Sequence, residues 1–79
     1  MPKLRRISGD NLLKLLLAKG FMMLRQKGSH VRIFHDLAET KIFITVPLHS
    51  EIDRGTLRSI MRTAEKCLGE SEIKKIFYK

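Results

Sequence analysis

The segment Lys27-Gly28-Ser29-His30 contains the residues best suited to chemistry in this sequence. An imidazole can take or give a proton near neutral pH, and His30 follows a glycine turn inside a basic stretch. Gly28 allows close approach of a backbone to a ligand, and Ser29 offers a hydroxyl and a backbone N–H. RNA cleavage needs a group that takes the 2′-hydroxyl proton, another that protonates the leaving oxygen, and positive charge beside the phosphate. The segment offers parts of all three, although a surface histidine beside a hairpin turn is the simpler alternative. The neighbouring cations are Arg25, Lys27 and Arg32.

The other two histidines and the cysteine are weaker candidates. A metal site formed by His30, His35 and His49 would need these residues to converge, and no acidic residue clusters with them in the sequence. We therefore favour loop-end positions for His35 and His49, and we expect no metal. Cys67 is the single cysteine, which excludes an internal disulfide and a cysteine-based zinc site within one chain. It is expected to be a small buried hydrophobic residue.

The charge of the chain indicates a polyanionic partner. Lys and Arg number 16 against 8 Asp and Glu, so the net charge is +8. RNA, DNA, an acidic protein and a membrane surface all fit this charge. Every fourth residue of one segment is an arginine: Arg54, Arg58 and Arg62. These side chains could contact phosphates, or they could form a solvated helix face beside Glu51 and Asp53.

Length and hydropathy exclude several classes of protein. A chain of 79 residues allows one small domain without a deep cavity for an organic cofactor. Its longest apolar stretch, residues 12–17, is broken by Lys14 and is far shorter than the ~20 residues that a membrane span needs. We see no targeting segment, and a single cysteine suits a reducing compartment. The expected location is the cytoplasm, with no membrane partner and no cofactor.

The hydrophobic pattern predicts two helices and three strands. Ser8 is a suitable N-cap for a helix at 9–19, with Gly20 as its stop. Strands are predicted at 21–26, 31–35 and 42–46, and Pro47 ends the last one. Asp53 can cap a second helix that ends at Gly69, and 71–77 has the pattern of a short last turn.

These elements predict a single α+β domain of order α-β-β-β-α. A three-stranded antiparallel sheet would have both helices on one face, as in double-stranded-RNA-binding domains. The domain would span residues 1–79, with a core at 7–68 and a C-terminal extension at 69–79 that can form a short helix. The opposite face would expose Met22 or Met23, Phe34 and Phe43, an apolar patch suited to protein contact.

Several short motifs together resemble one family. The motifs are Ser8-Gly9-Asp10, Lys19-Gly20-Phe21, the segment Arg25-Gln26-Lys27-Gly28-Ser29-His30, the segment Thr45-Val46-Pro47-x-His49 and the segment Gly55-Thr56-Leu57-Arg58-Ser59-Ile60. In this order and spacing, over about residues 7–64, they resemble the HicA toxins of bacterial and archaeal type II toxin–antitoxin systems. Two features depart from the family. Residues 36–40 lack the usual His-Pro-Asp-Gly turn, and Ala64-Glu65 stands where the family has Ala-Gly.

The resemblance implies an mRNA-cleaving toxin that halts translation and needs neither a metal nor an organic cofactor. It implies that His30 is the catalytic residue, and that a HicB-type antitoxin covers the active surface and joins the toxin in repressing their operon. From the basic stretch, the turn and the arginine stripe, the residues that we assign to RNA binding are Arg25, Lys27, Gly28, Ser29, Arg32 and Arg58.

Three hypotheses follow. In the first, the protein is a metal-independent endoribonuclease with His30 as general acid or base, and its second proton-transfer group is not identified. In the second, it is a non-catalytic RNA-binding module of the double-stranded-RNA-binding type. In the third, it is an interaction subunit whose basic surface binds an acidic partner. The first and third are compatible, because a toxin must also bind its antitoxin.

Overall fold

The computed structural model describes residues 3–79, so Met1 and Pro2 of the predicted domain lie outside the described residues. Within this range, no helix is long and apolar enough to cross a membrane. The elements follow the predicted order, with a third helix added. They are α1 (Gly9–Ala18), β1 (Met22–Lys27), β2 (His30–Asp36), β3 (Lys41–Pro47), α2 (Arg54–Ala64) and α3 (Glu70–Phe77).

The first helix forms as its sequence predicts. The Ser8 hydroxyl accepts a hydrogen bond of 3.1 Å from the backbone N–H of Asn11, which satisfies one of the free donors of the first turn. Leu12 and Leu16 are fully buried on one stripe of the helix. Gly20, with a φ of 100°, provides the left-handed residue that ends it. The predicted span of 9–19 is one residue too long at its C-terminal end.

The three strands form an antiparallel meander in the order β1-β2-β3. Val31 and Ile33 of β2 pair with Val46 and Ile44 of β3, and all four are buried on the face that the helices cover. The predicted α+β fold is therefore confirmed. Phe34 and Phe43 pair on the opposite face, which we call the outer face, with ring centroids 6.4 Å apart. Met22 pairs with Phe34 and so belongs to this apolar patch.

The predicted end of the second helix is wrong. The helix ends at Ala64, and turns follow in which Cys67 N–H donates to Ala64 C=O. Gly69 has a φ of −72° and is the N-cap of α3, so it does not supply the left-handed conformation of a helix stop. The short last turn expected at 71–77 is a helix of 8 residues.

Residues near both ends of the described range, 3–79, pack into the core. Leu4 forms an isolated antiparallel bridge with Tyr78, and Arg5 N–H donates to Phe77 C=O at 2.8 Å. Phe77 and Ile76 are among the most deeply buried side chains. The hydrophobic core therefore includes residues on both sides of the 7–68 segment.

Candidate nucleic-acid interface

The segment Lys27-Gly28-Ser29-His30 forms the tight turn between β1 and β2. Lys27 and His30 pair across a two-residue loop, and Gly28, its first residue, has a φ of 59°. A positive φ at that position favours glycine in hairpins of this length. The side-chain amide of Gln26 donates to Gly28 C=O at 3.1 Å and braces the turn. His30 is thus the first residue of β2, and its side chain is exposed.

A β-bulge determines which cations share the face of His30. The register of β1 against β2 shifts between Met23 and Arg25, which leaves Leu24 as the extra residue. Simple alternation from Met22 would place Leu24 and Gln26 on the outer face. After the bulge, Arg25 and Lys27 lie there instead, opposite Arg32 and His30. No glycine or proline marks this bulge, so the hydrophobic pattern of β1 does not predict it.

The outer face contains a hollow of about 200 Å³ at this point, which we call the His30 hollow. Three cations, one imidazole and one hydroxyl converge on it without an acidic neighbour in its lining. The three ion pairs found among residues 3–79 involve none of these cations. The hollow therefore has the charge that a phosphodiester requires. Its lining residues are Arg25, Lys27, His30, Arg32 and Thr45.

Arg32 connects the His30 hollow to a longer groove. Its guanidinium donates to the Thr45 hydroxyl at 3.0 Å and lies 5.0 Å from the ring centroid of Phe43. The groove, of about 570 Å³, runs between β3 and α2 and is lined by both Arg32 and Thr45. Asp53 lies in its lining, where the hydrogen bonds from Thr56 lower the pKa of its carboxyl. The His30 hollow and the groove therefore share two lining residues, but the groove also contains a carboxylate.

His49 lies beside His30, with ring centroids 6.3 Å apart and ring planes at 77°. Two backbone hydrogen bonds position the loop after β3. Leu48 N–H donates to Ser29 C=O at 2.6 Å, and Gly9 N–H donates to His49 C=O at 2.9 Å. His49 lies in the loop after β3, as expected, and this loop brings its ring next to that of His30. Pro47 pairs with His30 across the sheet. A correct prediction of the register between β2 and β3 would therefore have placed His49 near His30.

Gly9 allows this arrangement because the start of α1 touches the same loop. A Cβ atom at position 9 would lie 1.9 Å from Pro47 O and 2.7 Å from Leu48 Cα. Both neighbours are backbone atoms, so no side-chain rotation can relieve the contact. The glycine is therefore required by a close approach of two backbones, one of which carries His49.

His35 does not join the other two histidines. It is five residues from His30 along β2, so it points to the opposite face and lies at the far end of the strand. Its ring packs edge-on against Phe21 at 5.1 Å, and its Nδ1 is buried without a hydrogen-bond partner. Among residues 3–79, no group of three or more His, Cys, Asp or Glu side chains is placed to hold a metal ion.

Arg58 lies apart from the other predicted RNA-binding residues. It is exposed on α2 but lines neither the His30 hollow nor the groove. At about 100° per residue, it is rotated by about 100° from Ser59 and about 140° from Thr63, which line the groove. Arg54, on the same side as Arg58, lines a separate basic hollow with Lys3, Arg6 and Lys79.

Cys67 is partly buried against the core, and this burial raises the pKa of its thiol. A raised pKa keeps the sulfur protonated, and the thiol is a poor nucleophile in that form. Cys67 therefore contributes packing, in agreement with its expected role.

The sequence of the chain was also compared with known proteins. A family model described as HicA toxin of bacterial toxin-antitoxin matches residues 9–65 of the 79-residue chain. No curated protein and no solved structure matches significantly. The matched segment begins at Gly9 and includes the β1–β2 turn, His30, His49 and the whole of α2.

Proposed function

The chain belongs to the HicA toxin family of toxin–antitoxin systems, and from this premise we propose that it is a metal-independent endoribonuclease that cleaves mRNA. The observation that carries the proposal is the convergence of His30 with three cations in one exposed hollow. Such a site offers proton transfer and positive charge where an RNA phosphodiester would lie. We further propose that the toxin acts in the cytoplasm, where its mRNA substrate is found.

In this mechanism each residue of the hollow has a distinct task. His30 is the general acid or base at the scissile phosphate. Lys27 and Arg25 stabilise the charge that develops on the phosphate oxygens in the transition state. Arg32 binds a neighbouring phosphate, held in place by Thr45. Gly28 and Ser29 allow the RNA backbone to approach the turn, and Arg58 contacts a more distant part of a long RNA.

The partner is proposed to be a HicB-type antitoxin that binds the outer face. Membership of a toxin–antitoxin family implies an antitoxin. Met22 and Phe43 on the outer face are 47% and 41% exposed, and cations lie over the aromatic rings of this face. An acidic protein with apolar anchor residues would complement such a surface and would cover His30 at the same time.

The alternative function is a non-catalytic RNA-binding module. The fold order and the net charge of +8 support RNA binding without cleavage equally well. Under this alternative His30 contacts phosphate only, and RNA survives prolonged incubation.

The test is to incubate the protein with a long single-stranded RNA in EDTA and to resolve the products on a denaturing gel. His30→Ala tests the catalytic group. His35→Gln is the matched control, because it removes a histidine on the opposite face. Circular dichroism melting verifies that each variant is folded. We expect cleavage by the wild type and the control but not by His30→Ala. Equal cleavage by all three would contradict the proposed site, and intact RNA bound in a salt-dependent manner would favour the binding module.

A further inference from the structure

We propose that His49 is the second proton-transfer residue of this site and acts as a pair with His30. The inference rests on the proposed ribonuclease function and completes it, since one histidine cannot be both base and acid within a single step. It assigns the role to a side chain that the fold places beside His30 from a different element.

The position of His49 is fixed by backbone contacts rather than by its own side chain. Its carbonyl accepts from Gly9 N–H, and the preceding residue donates to the turn that carries His30. The imidazole is exposed and is not needed for either hydrogen bond. Backbone hydrogen bonds hold His49 in place, so its exposed imidazole is available to a substrate bound beside His30.

The separation of the two rings suits one phosphate group. Centroids 6.3 Å apart, with nearly perpendicular planes, leave no direct hydrogen bond between the imidazoles. Each ring nitrogen reaches an oxygen at about 3 Å, so one phosphodiester between the rings can contact both. The attacking and leaving oxygens lie on opposite sides of phosphorus, which requires two groups at separate positions.

The step balances with these two residues and the substrate alone. One imidazole takes the proton of the 2′-hydroxyl while the 2′-oxygen forms a bond to phosphorus. The bond from phosphorus to the 5′-oxygen breaks, and the other residue, as imidazolium, gives its proton to that oxygen. The products are a 2′,3′-cyclic phosphate and a 5′-hydroxyl. Exchange with water then restores both protonation states.

The test compares two substrates with the same mapped cleavage site. One has the natural 5′-oxygen at the scissile bond, and the other has sulfur there, a leaving group that departs without a proton. His49→Gln and His30→Ala are each assayed on both substrates in EDTA. Ser50→Ala is the matched control, because it alters the exposed neighbour in the same loop. Affinity for 2′-O-methyl RNA, which cannot attack its own phosphate, is measured in parallel.

We expect His49→Gln to lose about 10²–10⁴-fold in rate on the oxygen substrate, with Ser50→Ala unchanged. The sulfur substrate should restore one of the two histidine variants to near the wild-type rate, and the restored variant is the one that lacks the acid. Restoration of both or of neither would overturn the pair. So would a wild-type rate for His49→Gln, or a loss of affinity as large as its loss of rate.

These outcomes separate the two proposals. If the wild type cleaves RNA and His49→Gln is fully active, the pairing of His49 with His30 is overturned but the ribonuclease function is not. Absence of cleavage by the wild type overturns the ribonuclease function, and the pairing with it.

Discussion

Replacement of Gly9 by alanine is predicted to damage the site from a distance. Gly9 is buried at the first position of α1, and an added Cβ would overlap the carbonyl of Pro47. The protein must then move the start of α1 away from the loop after β3, or move that loop away from β2. Either movement strains the hydrogen bond from Gly9 N–H to His49 C=O.

The magnitude follows from the overlap. Insertion of one methyl group into a packed site typically costs about 1–3 kcal/mol. A domain of this size loses about 4–8 °C in Tm for each kcal/mol, so the expected decrease is about 4–24 °C. Gly9 is the first residue of α1, so the better propensity of alanine for helix interiors offsets little of this cost. The assay is thermal unfolding followed by circular dichroism, together with the rate of RNA cleavage below the transition.

Gly55→Ala is the matched control for this substitution. Gly55 also lies in the first turn of a helix, but a Cβ there meets its nearest atom, Asp53 Oδ2, at an ordinary 3.4 Å. The control should therefore gain stability by about 0.4–1 kcal/mol from the reduced freedom of the unfolded chain. If Gly9→Ala instead melts at or above the wild-type temperature, the close approach of α1 to Pro47 is refuted, together with the reasoning that it positions His49.

Three further predictions concern the fold and the charged surface. Phe77→Ala should lower the free energy of unfolding by about 3–5 kcal/mol, measured by chemical denaturation, because this ring of α3 is fully buried. A smaller loss would show that α3 contributes little to the core. Asp53→Ala should lower Tm at neutral pH, because the hydrogen bonds from Thr56 that lower the pKa of Asp53 stabilise its charged form. This stabilisation is lost as the pH falls through the folded pKa, so the two Tm values should converge in acid, and a constant difference would contradict the assignment. Lys27→Ala should reduce the slope of log affinity against log salt for 2′-O-methyl RNA by about 0.7, whereas Arg58→Ala should do so only with RNA long enough to leave the His30 hollow.

The sequence predicts the parts of this fold that depend on local chemistry. Ser8 and Gly20 lie at the two ends of α1 almost as expected. The tight turn lies at Gly28 and Ser29, where Gly28 adopts the positive φ that glycine favours. The end of α2 was missed because glycine is an ambiguous signal. Gly69 serves as an N-cap with negative φ, a role that its residue type alone does not distinguish from a helix stop.

The candidate site was less predictable because its members meet through long-range register. His30 and its flanking cations are neighbours in the sequence, and a motif identifies them. His49 reaches them only through the pairing of Pro47 with His30 and the hydrogen bond from Leu48 to Ser29. Such contacts depend on the alignment of β2 with β3, which hydrophobic alternation constrains only to within two residues.

Two local features, a β-bulge and a glycine, therefore bring the groups of the candidate site together. The bulge at Leu24 gives Arg25 and Lys27 the same face as His30, although regular alternation from Met22 would place them on the opposite face of the sheet. The missing side chain at Gly9 lets α1 begin against the loop that carries His49. Both features act on the arrangement of side chains around His30, and under the proposed function local irregularities are expected at such positions.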